Sequence, residues 1–339
     1  MRIWFNHWFS TSYHLINLMK EKEPGRFTFV GTSTNPFAIY KQVCDEFYEE
    51  RHDMSDEDYL NFCIDFCRNH KIDIFVPRHN LVSIITNRHK FESIGVKLLA
   101  EENIEIVKAL DDKFKTYELL KTIYPERVPE IQISHNVSEF EAALKDMAKK
   151  YSRTCYKLVV DEGARSFRVI DDRIENIGNL YNKPGNKITT EAATKVINNY
   201  DFKVPVMHMP FLEDVEISVD CLKTNSGNII IPRYKTNKRY SEVIFNKEIM
   251  DECEVIMDRL NLNYPLNIQY KKGDGKLYIL EINTRMSGGL QLSCKASKIN
   301  LPMIALYKLL GEDISWCYPE YESQKVAHIA VSYTHLTLP

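Results

Sequence analysis

The chain has 339 residues, 44% hydrophobic and 27% charged, with a formal net charge of -3. Such a length predicts two or three packed units, and the composition is that of a folded protein, not a disordered one. The mild acidity and the lack of a dense Lys/Arg stripe exclude a nucleic-acid footprint, and no apolar run approaches the ~20 residues of a membrane span. Met1 leads into Arg2-Ile3-Trp4-Phe5, too short an apolar run for a signal peptide. Eight cysteines are scattered along the chain, and only Cys63 and Cys67 are close. Their i, i+4 spacing in an apparent helix is not that of a structural zinc site, so reduced, packed thiols in a cytoplasmic protein are expected.

Residues 1–110 alternate between short β-rich runs and helical segments. Ile3-Trp4-Phe5 and Phe27-Thr28-Phe29-Val30 read as strands, with a helix over 11–21 between them. Ser55, followed by Asp56-Glu57-Asp58, opens a helix reaching His70. Ile72–Pro77 and Val96–Leu99 are further strands, with a helical run from Leu81 between them. This alternation predicts an open parallel sheet with helices on both faces. No G-x-G-x-x-G follows the first strand, so dinucleotide binding has no support. Asn6-His7-Trp8 and Arg78-His79-Asn80 follow strands, where such sheets place ligands, although His79 also suits ordinary loop packing.

Asp111-Asp112-Lys113 opens a helix running to about Ile123, and the acids suit its dipole. A new β/α unit begins at Val128, with Ser138–Glu141 as a capping box for a helix through Lys150. Tyr156–Val160 is a strand with one lysine, Lys157, among apolar residues. It leads into a turn, Asp161–Arg168, and a second strand ending at Ile170. Such a turn can close over phosphates with its backbone N–H groups, or can be a plain hairpin. Val204–Leu212 is an apolar run broken by two prolines. After it Glu216, Ser218 and Asp220 share a face opposite Val215, Ile217 and Val219. A turn at Asn225–Asn228 leads to a strand ending at Arg233, and a helix spans about Asn246–Leu260. Leu266–Tyr270 pairs through Gly273-Asp274-Gly275 with Leu277–Asn283. On that last strand Glu281 and Asn283 point to one face, with Arg285 at the same parity. An acid, an amide and a guanidinium together suit Mg²⁺ and phosphate; a salt-bridged strand end would look the same. Arg78 and Arg233 can anchor a carboxylate or a phosphate, or form surface ion pairs. Residues 331–339 are expected to be a non-native tail resembling translated sequencing-adapter DNA, with the native C-terminus missing.

The order of these pieces resembles the ATP-grasp superfamily, in particular a single synthetase unit of the carbamoyl-phosphate synthase large subunit. The resemblance covers residues 1 to about 325. It implies an α/β pre-ATP-grasp domain with a Rossmann-like parallel sheet over 1–110, followed by an α+β two-lobed ATP-grasp fold. The first lobe would span 111–210 and the second 211–330. It also implies that Lys113 and Lys157 contact nucleotide phosphates under a loop containing Glu162, Gly163 and Ser166. Met209, Phe211 and Leu212 would meet adenine, and Glu216 the ribose. Gln269, Glu281 and Asn283 would hold Mg²⁺ (or Mn²⁺), and Arg285 would act on the transferring phosphate. The loop has one glycine where relatives often have several, which leaves its closure in doubt, and Met209 stands where an acid is common. The implied activity is an ATP-dependent carboxylate–amine ligase acting on small molecules, with a homodimer as a possible assembly. Carbamoyl-phosphate synthesis is disfavoured, because it normally needs two synthetase halves and no internal repeat is visible. An idle ATP-binding module of a larger biosynthetic or defence system is the competing expectation, which intact Gln269, Glu281, Asn283 and Arg285 argue against.

Overall fold

The structure, a computed structural model, describes residues 1–161, 165–173, 185–236, 240–273 and 275–315 and the backbone of 324–327. The chain divides into two compact units: residues 1–108, 215–269 and 282–339 form the first, and 109–214 with 270–281 the second.

The first unit opens with β1 (Arg2–Asn6), α1 (Ser12–Lys22), β2 (Thr28–Ser33), β3 (Glu46–Glu49), α2 (Asp56–Asn69), β4 (Ile74–Val76), α3 (Leu81–Thr86), α4 (Arg88–Glu92) and β5 (Lys97–Leu98). The strands form the expected parallel sheet, in the order β3-β2-β1-β4-β5. β1 is central and buried on both faces, which is why it reads as a continuous apolar run. Ile3 and Phe5 enter one core and Trp4 the opposite one. There Trp4 stacks on Phe75 at 4.1 Å and its indole N–H donates to the Thr32 hydroxyl. The Ser55 hydroxyl caps α2 by accepting from the Asp58 N–H, as expected. The edge strand β3 was not legible in the sequence, because Glu46-Phe47-Tyr48-Glu49 has charge at both ends. Arg2 forks onto Glu46 with two 2.7 Å bonds, and this holds the Glu46 carboxyl down to about 2.

α5 (Ile104–Asp111) leads to the second unit and α6 (Lys113–Lys121). The Asp112 carboxylate is the α6 N-cap, accepting from the N–H groups of Phe114 and Lys115. β6 (Gln132–Ser134), α7 (Val137–Lys150), β7 (Thr154–Leu158), β8 (Arg168–Ile170), β9 (Lys187–Ile188), α8 (Thr190–Ile197) and β10 (Val206–Pro210) follow, with sheet order β6-β10-β7-β8-β9. The expected capping box is displaced by two residues. Asn136, not Ser138, caps α7: its side chain accepts from the Glu139 N–H, while Glu139 accepts from the His135 N–H.

β11 (Glu216–Thr224), β12 (Gly227–Lys235), β13 (Tyr240–Val243), α9 (Lys247–Arg259), β14 (Leu266–Gly273), β15 (Lys276–Asn283), α10 (Leu290–Ser297), α11 (Leu301–Leu310) and β16 (Gln324–Ala327) complete the described chain. The third sheet runs β15-β14-β11-β12-β13-β16. A parallel α/β domain is thus followed by antiparallel sheets with helices, as the alternating and then hairpin-like patterns predict. α11 starts at the Asn300 cap and ends at Gly311, whose φ of +74° suits glycine. Cys44, Cys63, Cys67, Cys155, Cys221, Cys253 and Cys294 are unbridged thiols. Among the described residues no helix is long and apolar enough to cross a membrane.

One buried histidine makes the second unit pH-sensitive. His208 on β10 bonds the Ser134 hydroxyl through Nε2 at 3.0 Å, and burial lowers its pKa from 6.5 to about 4. Between those values the unfolded chain binds a proton that the folded chain refuses, so stability falls as pH drops from 6.5 to 4. Urea unfolding at pH 7 and pH 4.5 should show a loss of roughly 2 kcal/mol that His208→Gln does not share.

Candidate active site

In the second unit the chain gathers two lysines, Lys113 and Lys157, and two carboxylates, Glu281 and Asp161. Lys113, the first residue of α6, is 9% exposed, and its ammonium donates to the Asp161 carbonyl at 2.9 Å. Its backbone N–H donates to the Val159 carbonyl, which ties the start of α6 to the end of β7. Lys157 on β7 is 8% exposed. Burial pushes its pKa down to about 8; the nearby Glu281 carboxylate pulls upward and the Lys113 charge pushes further down. Tyr117, three residues after Phe114 on α6, donates its hydroxyl to the Leu280 carbonyl at 2.9 Å, which secures β15 beside the lysines. Lys157 thus lies beside the Lys113 ammonium and within reach of two carboxylates, Glu281 and Asp161, and desolvation outweighs their pull. A buried ammonium is costly when its partners do not offset its desolvation, and charge-assisted bonds to phosphate oxygens lower that cost.

The turn after β7 has a fixed foot. The Ser166 hydroxyl donates to Asp161 at 2.7 Å and accepts from the Leu158 N–H at 2.9 Å. Ser166 is therefore occupied in anchoring the turn; Glu162 and Gly163 lie outside the described residues, as do 331–339. Met209 and Leu212 are buried, and Leu212 fills the space beside Gly273. Phe211 is half-buried, lies 6.3 Å from the Phe167 ring and carries the Arg153 guanidinium 4.5 Å from its centre.

The remaining expected residues are in the first unit. Glu216 opens β11 and pairs with Lys235. Gln269 lies on β14, and Asn283 ends β15, the neighbouring strand that also carries Glu281. The boundary between units crosses both strands, so Glu281 belongs with the lysines, and Gln269 and Asn283 with the first unit. Among the described residues no cluster of three or more His, Cys, Asp or Glu is arranged to hold a metal. One carboxylate, Glu281, is within the one or two protein carboxylates that a phosphate-bound Mg²⁺ needs. Arg285 lies 3.4 Å from the Asn283 side-chain oxygen and 4.8 Å from the centre of the Phe9 ring.

Arg233 is neither a surface ion pair nor a displayed anchor. It is 3% exposed and donates to the hydroxyls of Ser293 and Ser218, each at 3.1 Å. The Ser293 hydroxyl donates to Asp220 at 2.6 Å, and the Asn267 amide donates to Ser218 and Asp220. The Ser218/Asp220 face that alternation marks as polar is thus a buried, hydrogen-bonded network. A Cβ on Gly289 would overlap the Arg233 guanidinium, so glycine is required there by close approach. Sequence reasoning missed Asn267, Ser293 and Phe9. Asn267 alternates with apolar residues along β14 and Ser293 lies in a helix of mixed polarity, so neither stands out by its pattern, and Phe9 carries no signal.

Residues 202–332 match the family model described as "ATP-grasp in the biosynthetic pathway with Ter operon". The carbamoyl phosphate synthase large chain of Archaeoglobus fulgidus is 26% identical over 263 residues, covering 71% of this chain and 22% of that protein. The C-terminal section of the same enzyme from Methanocaldococcus jannaschii is 26% identical over 259 residues, 70% of this chain and 38% of its own length. The chain thus spans well under half the length of these curated relatives. Among solved structures, the ADP complex of N5-carboxyaminoimidazole ribonucleotide synthetase superposes with a TM-score of 0.67 at 11% identity, covering 95% of this chain and 78% of that one. The L-amino acid ligase of Bacillus licheniformis gives 0.63 at 14% identity over 94% and 77%. Pattern, fold and relatives agree: residues 202–332 match an ATP-grasp family model, and the chain resembles a single synthetase unit of the carbamoyl phosphate synthase large chain.

Proposed function

We propose that this protein is an ATP-dependent ligase that activates a small-molecule carboxylate as an acyl phosphate and couples it to an amine, releasing ADP and phosphate. The observation that carries the reading is the buried pair Lys113 and Lys157 beside Glu281, a charge arrangement that a triphosphate completes. Relatives support the class: the N5-carboxyaminoimidazole ribonucleotide synthetase was solved with ADP, and an L-amino acid ligase shares the fold.

In this reading Lys113 and Lys157 hold the phosphates, and the turn carrying Glu162, Gly163 and Ser166 covers them. Met209, Phe211 and Leu212 line the base, and Glu216 receives the ribose hydroxyls. Gln269, Glu281 and Asn283 would hold Mg²⁺, which when bound neutralises charge on the β- and γ-phosphates. The substrate carboxylate attacks the γ-phosphorus while Arg285 stabilises the equatorial oxygens through charge-assisted hydrogen bonds. Water must be kept out at this stage because an acyl phosphate hydrolyses. The amine then attacks the acyl carbon, its proton is lost, and phosphate leaves.

Two variants separate chemistry from folding. Glu281→Ala should lower ADP release from Mg·ATP, assayed with pooled amino acids, by about 10²–10³-fold while circular dichroism stays unchanged. Undiminished release would remove Glu281 from the site, and Mg·ADP binding by the wild type with no ADP release would identify an idle module instead. Lys157→Met removes a buried ammonium, so the thermal midpoint should hold or rise. The same variant should weaken Mg·ADP binding, measured by calorimetry, by at least about 10-fold.

A further inference from the structure

An amine that attacks an acyl carbon must shed a proton to become an amide, and a histidine backed by a buried carboxylate is a common acceptor for it. The first unit holds such a pair. His7 follows β1 with a left-handed φ of 47°, a conformation costly for a residue with a side chain. Its backbone N–H donates to the Thr32 carbonyl at 2.7 Å, and its own carbonyl accepts from Arg78 Nη1 at 2.7 Å. Glu50 follows β3, donates its backbone N–H to the Ser33 carbonyl and is 2% exposed. Thr32 supports both members, because its hydroxyl donates to Glu50 Oε1 at 2.5 Å. The Tyr59 hydroxyl lies 3.3 Å from either Glu50 oxygen and is itself fixed by the Asn6 amide.

His7 Nδ1 is buried, has no hydrogen-bond partner among the described residues, and faces Glu50 Oε2 at 3.5 Å. A carboxylate only accepts, so it favours the tautomer with the proton on Nδ1 and the lone pair on Nε2. The separation is longer than a formed hydrogen bond, as catalytic pairs often are before substrate binds. The Glu50 side chain is fully covered, while a third of the His7 side chain is exposed. With Nδ1 buried, the accessible part of the ring is the rest of it, which carries Nε2. A purely structural carboxylate would need neither the strained His7 backbone nor an imidazole left unbonded beside it. The same segment runs towards Arg285. Arg78, which holds the His7 carbonyl, lies 3.9 Å from the centre of the Phe9 ring, and Arg285 lies 4.8 Å from that centre. Thr11 Oγ1 and the Phe9 ring lie 3.6 and 4.0 Å from the position a Cβ would take on Gly288, in the turn after Arg285. The pair thus shares one body with the residue proposed to act on the transferring phosphate.

We propose that His7 is the catalytic base of the coupling step, oriented by the buried carboxylate of Glu50. The nitrogen lone pair of the amine forms the bond to the acyl carbon, and the carbon–oxygen bond to phosphate breaks with its electrons leaving on phosphate. One N–H bond of the amine breaks, and its proton passes to His7 Nε2. Glu50 is a positioning residue: it holds the imidazole in the accepting tautomer and stabilises the imidazolium that results. The proposal rests on the ligase reading above and adds the group that moves the proton.

The test uses the full chain with Mg·ATP, an equimolar pool of the twenty L-amino acids, and hydroxylamine as a second nucleophile. Hydroxylamine is neutral at pH 7 and attacks acyl phosphates without a base, so it reports acyl-phosphate formation alone. Asparagine tolerates a left-handed backbone and keeps an N–H donor near Glu50, yet it is no base, so His7→Asn removes the proton acceptor alone. With the pool alone this variant should lower kcat for ADP release by about 10²-fold or more. With hydroxylamine added, its ADP release and hydroxamate formation should return to near the wild-type rate. Glu50→Gln should show the same pattern with a smaller loss, and calorimetry with Mg·ADP should give an unchanged Kd for both variants. A structural role for His7 predicts instead that both nucleophiles fail together. Should His7→Asn lose Mg·ADP binding through misfolding, Glu50→Gln carries the test. Undiminished turnover of the pool by the variants, or a loss that hydroxylamine does not restore, overturns the proposal. A wild type that binds Mg·ADP yet releases no ADP with either nucleophile strikes the ligase reading, and the base falls with it. A wild type that fails to bind Mg·ADP strikes the nucleotide reading beneath both.

Discussion

The first unit depends on one shared hydrophobic core. Ile3, Phe5, Leu15, Ile16 and Met19 from the parallel domain pack in a single cluster with Leu222, Ile231, Met286, Leu290, Met303 and Leu306 from the C-terminal lobe. Polar contacts around it add direction: Asn300 donates to the Leu18 carbonyl, Tyr307 to Glu23, and Arg26 pairs with Glu312. Burial of this kind contributes through area and is nondirectional, while the surrounding bonds select one orientation of α10 and α11 against α1. Two segments far apart in the chain thereby become one body. Phe9, Thr11 and Arg78 can meet Arg285, Ser287 and Gly288 only because that core exists.

The molecule buries cationic groups in two different ways, and the contrast separates architecture from chemistry. Arg233 is surrounded by acceptors: Ser218 and Ser293 take its protons, and Asp220 is reached through Ser293. A satisfied network of this sort specifies how β11, β12 and α10 fit together. Lys157 is nearly as buried, yet desolvation outweighs the pull of Glu281 and its pKa falls to about 8. The first arrangement is complete within the protein. The second is not, which is why the proposed nucleotide reading rests on Lys157 and not on Arg233.

Periodicity and turn chemistry are local, and the elements that depend on them were readable. β1, α1, α2, α9 and the β11–β12 hairpin all follow from apolar spacing with a cap or turn residue at the boundary. The edge strands β3 and β16 and the short β13 beside β16 were not, because a short polar strand at a sheet's margin is defined by its neighbours' hydrogen bonds and not by its own pattern. The α7 cap shows the same limit at small scale. Asn136 and Ser138 both precede a glutamate three residues on, and the choice between them is made by where the backbone turns.

The sequence by itself determined the class of fold and the roster of chemistry: a parallel α/β domain, antiparallel lobes, and an ordered series from Lys113 through Arg285 that resembles an ATP-grasp enzyme. Residue types and spacing carry that much because helices and strands place side chains at fixed periods. Only the tertiary structure decided which of those groups are desolvated and which are satisfied. It turned Arg233 from a candidate anchor into a packed strut, made Ser166 the foot of a turn, and set Arg78 against Phe9. Burial and hydrogen-bond satisfaction are properties of neighbours distant in the chain, and no local pattern encodes them.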